Sequence, residues 1–173
     1  VTYVRARTHV RVCVCVCVCV VSPCRVHGVF DAAAYVFADD GYTKEELKMT
    51  NETKKILDQN IELSATCVRV PVMVSHSEAV NLELEKNFTL DQIRECIEKT
   101  ESCKVIDERA DGGYSTPLEA AGKDETFVSR IREDKTKKNC LNMWIVSDNL
   151  LRGAALNAVE IAETLIKNDF YGK

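Results

Sequence analysis

The chain has 173 residues, 46% hydrophobic and 29% charged, which suits one ordinary globular domain and is wrong for a disordered chain. Its 23 basic and 27 acidic side chains leave a net charge of −4, which argues against a protein that grips nucleic acid through bulk charge. No uncharged apolar run of about 18 residues occurs, so no membrane span is expected.

The chain starts at Val1 rather than Met, so a processed chain or a fragment is expected. Residues 1–30 hold Arg5, Arg7, Arg11 and Arg25 and no acid, so the other 143 residues carry 19 basic against 27 acidic groups, or −8. Five of the nine cysteines (Cys13, Cys15, Cys17, Cys19 and Cys24) also lie here, the first four within a strict Val-Cys alternation from Val12 to Val20. Three readings compete for that tract. An edge strand would place the alternating thiols on one face. A metal or redox site is a poor fit, because an extended Cys-x-Cys row does not fold its sulfurs around a tetrahedral ion. The preferred reading is genetic: an alternating GT nucleotide tract translates as Val-Cys. Residues 1–35 are therefore expected to be a low-complexity segment outside the fold, with residues 36–173 forming the domain. The odd cysteine count and irregular spacing of the other four argue against a disulfide framework. The basic segment lacks the apolar stretch and cleavage site of a secretory signal.

From residue 40 the elements follow in order. Thr43 with Glu46 three later is a capping box, and a helix should run to about Leu57 with Leu47, Thr50, Ile56 and Leu57 on its buried side. Ile61 to Val68 alternates as a strand, and Pro71 makes it an edge or its end. Val80, Leu82 and Leu84 mark a half-exposed strand. Thr89 with Gln92 opens a second helix carrying Leu90, Ile93 and Ile97. A short strand near Lys104–Asp107 and a loop from Asp111 to Pro117 follow, then strands at Phe127–Arg132 and Leu141–Ser147. From Arg152 an alanine-lined amphipathic helix should lie close on the sheet. This order is α+β, with helices on one face of a largely antiparallel mixed sheet.

Chemistry concentrates between Ser64 and Val80. Arg69 in an apolar strand is costly without a partner. His76 is the sole histidine after residue 30. Odd spacing puts the two on opposite faces of an unbroken strand, and Pro71 allows a bend that brings them together.

Ser64-Ala65-Thr66-Cys67-Val68-Arg69-Val70-Pro71-Val72 followed by His76-Ser77-Glu78-Ala79-Val80-Asn81 resembles the substrate segment of the aspartate-semialdehyde dehydrogenases. Three further stretches are similar in the same order: Asp40–Lys48 with Asn51–Leu57, Thr116–Glu125, and Trp144–Leu150 with Gly153–Ala158. Together they cover about residues 36–167. The resemblance implies the fold of the C-terminal domain of semialdehyde and glyceraldehyde-phosphate-type dehydrogenases. It also implies NADPH-linked reduction of an aspartyl phosphate to aspartate semialdehyde through a cysteine thioester, on the route to lysine, threonine and methionine. By resemblance His76 is the acid/base that handles the cysteine's proton, and Arg69 holds the substrate carboxylate, which its planar fork can bind bidentately. Glu45 is assigned to the substrate amine, Lys48 to phosphate and Asn149 to the nicotinamide of the cofactor. Read without the resemblance, His76 is an ordinary polar histidine, Arg69 half of an ion pair, and Asn149 a turn residue. Glu45 and Lys48 are then a solvated pair adding ~0.2–0.5 kcal/mol.

No glycine-rich phosphate loop occurs in the chain, and none of the nine cysteines stands in the family's nucleophile context. Cys67 reads as a small core residue, and Tyr114 and Trp144 as structural. No metal site is expected. The chain alone should be inactive, with NADP bound mostly by a missing domain, a small-molecule substrate, and a homodimer formed through the sheet. Cytoplasm is the expected compartment, a plastid the alternative. Three rival readings stay open: a non-catalytic dimerisation subunit, the related N-acetyl-glutamyl-phosphate reductase and, weakest, a metal-binding protein working through the Val-Cys tract.

Overall fold

The computed structural model describes residues 11–17, 38–68, 70 and 72–170, the first stretch as backbone placement. Six strands form one sheet in the order β2-β1-β3-β6-β5-β4. They are β1 (Arg11–Cys17), β2 (Glu62–Cys67), β3 (His76–Glu83), β4 (Cys103–Val105), β5 (Thr126–Glu133) and β6 (Cys140–Ser147). The helices are α1 (Lys44–Ile56), α2 (Leu90–Glu98), α3 (Pro117–Ala120) and α4 (Leu156–Lys167), with one π-helical turn at Leu151–Ala155 leading into α4. β1 runs parallel to β2 and β4 parallel to β5, while the β1–β3, β3–β6 and β5–β6 pairs are antiparallel. The α+β reading with a largely antiparallel mixed sheet holds.

One expectation is corrected at once. Residues 1–35 do not lie wholly outside the fold, because Arg11–Cys17 is an interior strand, seated between β2 and β3. Both neighbours present rows of backbone N–H and C=O groups that need partners, and alternating valines favour extended backbone. The strand is therefore interior, not the edge strand considered from the sequence.

Alternation divides the sheet into two faces. Ala65, Val80, Val128, Ile131, Leu141 and Met143 form the main core, against which Met49 of α1 and Leu90, Ile93 and Ile97 of α2 pack. On the other face Phe127 and Val146 are buried with Ala120 of α3, beside Trp144. The short α3, not foreseen, thus lies opposite the two larger helices.

Both predicted capping boxes form. Thr43 Oγ1 accepts the Glu46 N–H at 3.2 Å while Glu46 Oε2 accepts the Thr43 N–H at 2.8 Å, and Thr89 and Gln92 repeat the exchange. Glu46 does more. It is buried, and its Oε1 accepts the Cys67 N–H at 2.8 Å, tying the first turn of α1 to the end of β2. Ile56 and Leu57 are exposed rather than buried, because α1 is anchored through Glu46 and Met49 and its last turn is left uncovered. The last helix is a second correction: no residue of α4 is buried, and Val159, Ile161 and Ile166 are each more than half exposed.

Burial by itself would raise the Glu46 carboxyl, but the hydrogen bonds from Thr43 and Cys67 outweigh it and hold the group below its ordinary value. The unfolded chain then binds more protons than the folded one. Glu46 therefore contributes stability above the ordinary carboxylate range, and that stability disappears as pH falls through the lowered value. Glu46→Gln can satisfy only one of the two N–H groups. It should cost about 1–3 kcal/mol at neutral pH, and the gap from the parent chain in urea unfolding should narrow as pH falls through the lowered value.

Candidate active site

β3 begins at His76, which stands opposite Ser147, the last residue of β6. Beyond Ser147 the chain passes through Asp148 and Asn149 into the π-helical turn, a backbone form that recurs at functional sites. Asp148 is buried and organises this passage. Its Oδ1 accepts the N–H groups of Leu150 at 2.7 Å and Leu151 at 3.1 Å, and its Oδ2 accepts that of Gly122 at 2.7 Å. Burial works against its charge, yet the three N–H donors hold the carboxyl below its ordinary value.

Asn149 turns back to β3. Its Oδ1 accepts the Ser75 N–H at 2.8 Å, and because a backbone N–H can only donate, this fixes which end of the carboxamide faces the strand. Ser75 is fully buried, and its Oγ donates to the Pro117 carbonyl at 3.0 Å. The start of β3, the end of β6 and the start of α3 thus meet at one point.

The register carries the site across the sheet. Cys17 lies opposite Cys67, and Cys15 lies opposite Ala79, so the end of β2 and the start of β3 share one end of the sheet. The Glu46 bond to Cys67 brings the first turn of α1 to that end. Glu45 and Lys48 flank it, half exposed and paired with each other at 3.5 Å, an ion pair worth little in water and easily exchanged for a ligand. His76 is half-buried, and strand alternation gives it the face of Val80 and Leu82, the face that α1 and α2 cover. Four of the five residues singled out from sequence, His76, Asn149, Glu45 and Lys48, therefore gather at one end of the sheet. Arg69 follows β2 by two residues and lies outside the described residues.

Two cysteines can be weighed as nucleophiles. Cys140 follows Asn139, but it is buried at the far end of β6, opposite Glu83, roughly 23 Å along the strand from Ser147 at about 3.3 Å per residue. Burial, helped by Glu83, pushes its thiol up, away from the thiolate a nucleophile needs. Cys67 packs its Sγ 3.5 Å from Met49 Sδ, as a core residue does. Among the described residues, no three His, Cys, Asp or Glu side chains converge as metal ligands.

Sequence reasoning missed Asp148, Ser75 and the second bond of Glu46. An Asp just before a helix is a capping signal that points to Asp148. Ser75 carries no such signal, since its role rests on a backbone angle that serine seldom adopts.

Asp148→Asn keeps the size but makes one carboxylate oxygen an NH₂ group, which then faces an N–H. Stability should fall by about 1–3 kcal/mol near neutral pH. Since the parent carboxyl sits below its ordinary value, the difference should shrink as pH falls through that value. Urea unfolding across pH, with exchange of the Gly122 amide as the local reporter, checks both.

Comparison with known proteins identifies the family of this fold. The family model described as semialdehyde dehydrogenase, dimerisation domain matches residues 28–152. Aspartate-semialdehyde dehydrogenase of Aquifex aeolicus is 50% identical over 133 residues, 76% of this chain and 39% of the relative. That of Campylobacter jejuni is 50% identical over 128 residues, 74% and 37% of the two chains. The crystal structure of aspartate semialdehyde dehydrogenase II from Vibrio cholerae superposes with a TM-score of 0.71 at 41% identity, covering 76% of this chain and 39% of that one. The chain thus spans about two fifths of the length of such relatives. It belongs to the semialdehyde dehydrogenase family, of which it carries the dimerisation domain.

Proposed function

We propose that this chain, over residues 36–173, is the substrate-binding and dimerisation part of an NADP-dependent aspartate-semialdehyde dehydrogenase. The observation that carries the reading is the gathering of His76, Asn149, Glu45 and Lys48 at one end of the sheet, with Arg69 two residues beyond β2 in the sequence. A relative from Vibrio cholerae, 41% identical, is solved as a complex with ASA, which supports a small-molecule site on this fold.

The reaction converts an aspartyl phosphate to the semialdehyde through a thioester on a cysteine supplied outside this chain. His76 takes the thiol proton and returns it, a task suited to imidazole chemistry, whose ordinary range lies near neutrality. Arg69 clamps the substrate carboxylate with two parallel charge-assisted bonds. Glu45 receives the substrate ammonium and Lys48 the phosphate, each giving up the weak pair with the other. NADPH supplies the hydride when bound. On this chain the residue that fits it is Asn149: its Oδ1 is held by Ser75, and its Nδ2, without a partner among the described residues, can donate to the nicotinamide carbonyl.

Two further features support a larger enzyme. α4 presents Val159 and Ile166, seven residues apart on one side of the helix, uncovered, an apolar strip that a nucleotide-binding domain would bury. The sheet face opposite α1 and α2 is only partly covered, by α3 and its neighbouring loop, and leaves Ser64 and Thr66 exposed, which suits a second copy of the chain. Cytoplasm is the compartment that fits such an enzyme.

In the full-length enzyme His76→Ala should lower turnover by roughly 10²–10⁴-fold; turnover at the parent level overturns the acid/base role. Arg69→Lys should raise KM for the semialdehyde with a smaller change in kcat, since a lysine loses the bidentate contact. An unchanged KM removes Arg69 from the carboxylate site.

A further inference from the structure

The residue before His76 holds an unfavourable backbone shape. Ser75 has φ 86°, in the left-handed region that a residue with a side chain enters at a cost and that glycine enters freely. It is wholly buried, and two bonds from other elements grip it: its N–H on Asn149 Oδ1 and its Oγ on the Pro117 carbonyl. Directly after it, His76 enters the β3–β6 ladder opposite Ser147. Ser75 is therefore the last joint before the imidazole, and its angle decides how His76 leaves the backbone.

Asn149 is itself firmly placed. Asp148, its neighbour, is locked by three backbone N–H groups, and the π-helical turn that follows is held by the Arg152–Glu160 ion pair, with Ser102 Oγ donating to the same Glu160. The carboxamide can thus act on Ser75 from a fixed base.

We propose that Asn149 is a positioning residue for His76: by accepting the Ser75 N–H it keeps Ser75 in the left-handed conformation and so sets the direction of the imidazole. This deepens the proposed function, on which only its consequence for turnover rests. It adds to Asn149 a duty distinct from any contact with the cofactor, because the two duties use opposite ends of the carboxamide.

The test is NMR of this chain, following exchange of the Ser75 amide and the ring signals of His76. Asn149→Ala should speed Ser75 exchange at least about tenfold and should shift or split the His76 ring signals. Adding Ser75→Gly should restore a single His76 signal at the parent position, because glycine holds positive φ without help. Asn149→Asp keeps an acceptor oxygen and should keep Ser75 protected, which leaves the idea testable if the alanine variant is too unstable to study. A merely structural role would lower Tm without moving His76 and would not be rescued at position 75. Parent-like Ser75 exchange and His76 signals in Asn149→Ala overturn the proposal, as does a folded double variant whose His76 signals stay displaced. None of these readouts involves turnover. A full-length protein without dehydrogenase activity would therefore sink the proposed function and leave this inference standing, while an unmoved His76 would do the reverse.

Discussion

The pairing of β3 with β6 governs the rest of the molecule. Eight residues of each strand face one another, from His76 with Ser147 to Glu83 with Cys140. Burial holds that register in place. Val80 and Leu82 lie with Met143 and Leu141 on the face covered by α1 and α2, and burying each such side chain contributes about 1.5–3 kcal/mol. A slip of one residue would turn Val80 and Leu82 out and bring Ser77 and Asn81 in. The core therefore enforces the register, and the register sets His76 beside the passage from β6 to α4.

A second regularity follows along the chain. Three of the candidate side chains at this end of the sheet are exposed or half-buried, and each of the three sits next to a residue that is buried and bonded. Glu45 adjoins Glu46, His76 adjoins Ser75, and Asn149 adjoins Asp148. Glu46 and Asp148 solve the same problem in the same way. Burial opposes their charge, and backbone N–H donors from separate elements more than offset it. Such anchors leave the neighbouring side chains accessible while their Cα atoms are fixed from within.

Most of this scaffold was legible in the sequence because local chemistry dictates it. Thr43 with Glu46 and Thr89 with Gln92 announce helix starts through bonds three residues apart, and both helices begin where expected. The strands at β2, β5 and β6 follow from alternation. The departures lie where long-range partners decide. The Val-Cys tract becomes β1 because two strands distant in sequence leave a gap of its width. Ile56 and Leu57 look like core on a helical wheel, yet α1 is fixed at its other end. Of the candidate site, His76, Glu45, Lys48 and Asn149 were singled out through the family pattern, and their common location was not legible. That location depends on the register and on a hydrogen bond between residues 74 positions apart.

The same logic gives α4 a mechanical connection to the site. Asp148 ties the chain to β6 on one side of Asn149, and the Arg152–Glu160 pair ties the π-helical turn to α4 on the other. α4 carries its apolar residues uncovered, so its position is set less by packing than by these ties. A body seated on α4 bears on the π-helical turn through Glu160 and Arg152, and Asn149 lies three residues before Arg152. The helix most in need of a cover is thus joined by a short run of charged and backbone contacts to the residue that grips Ser75.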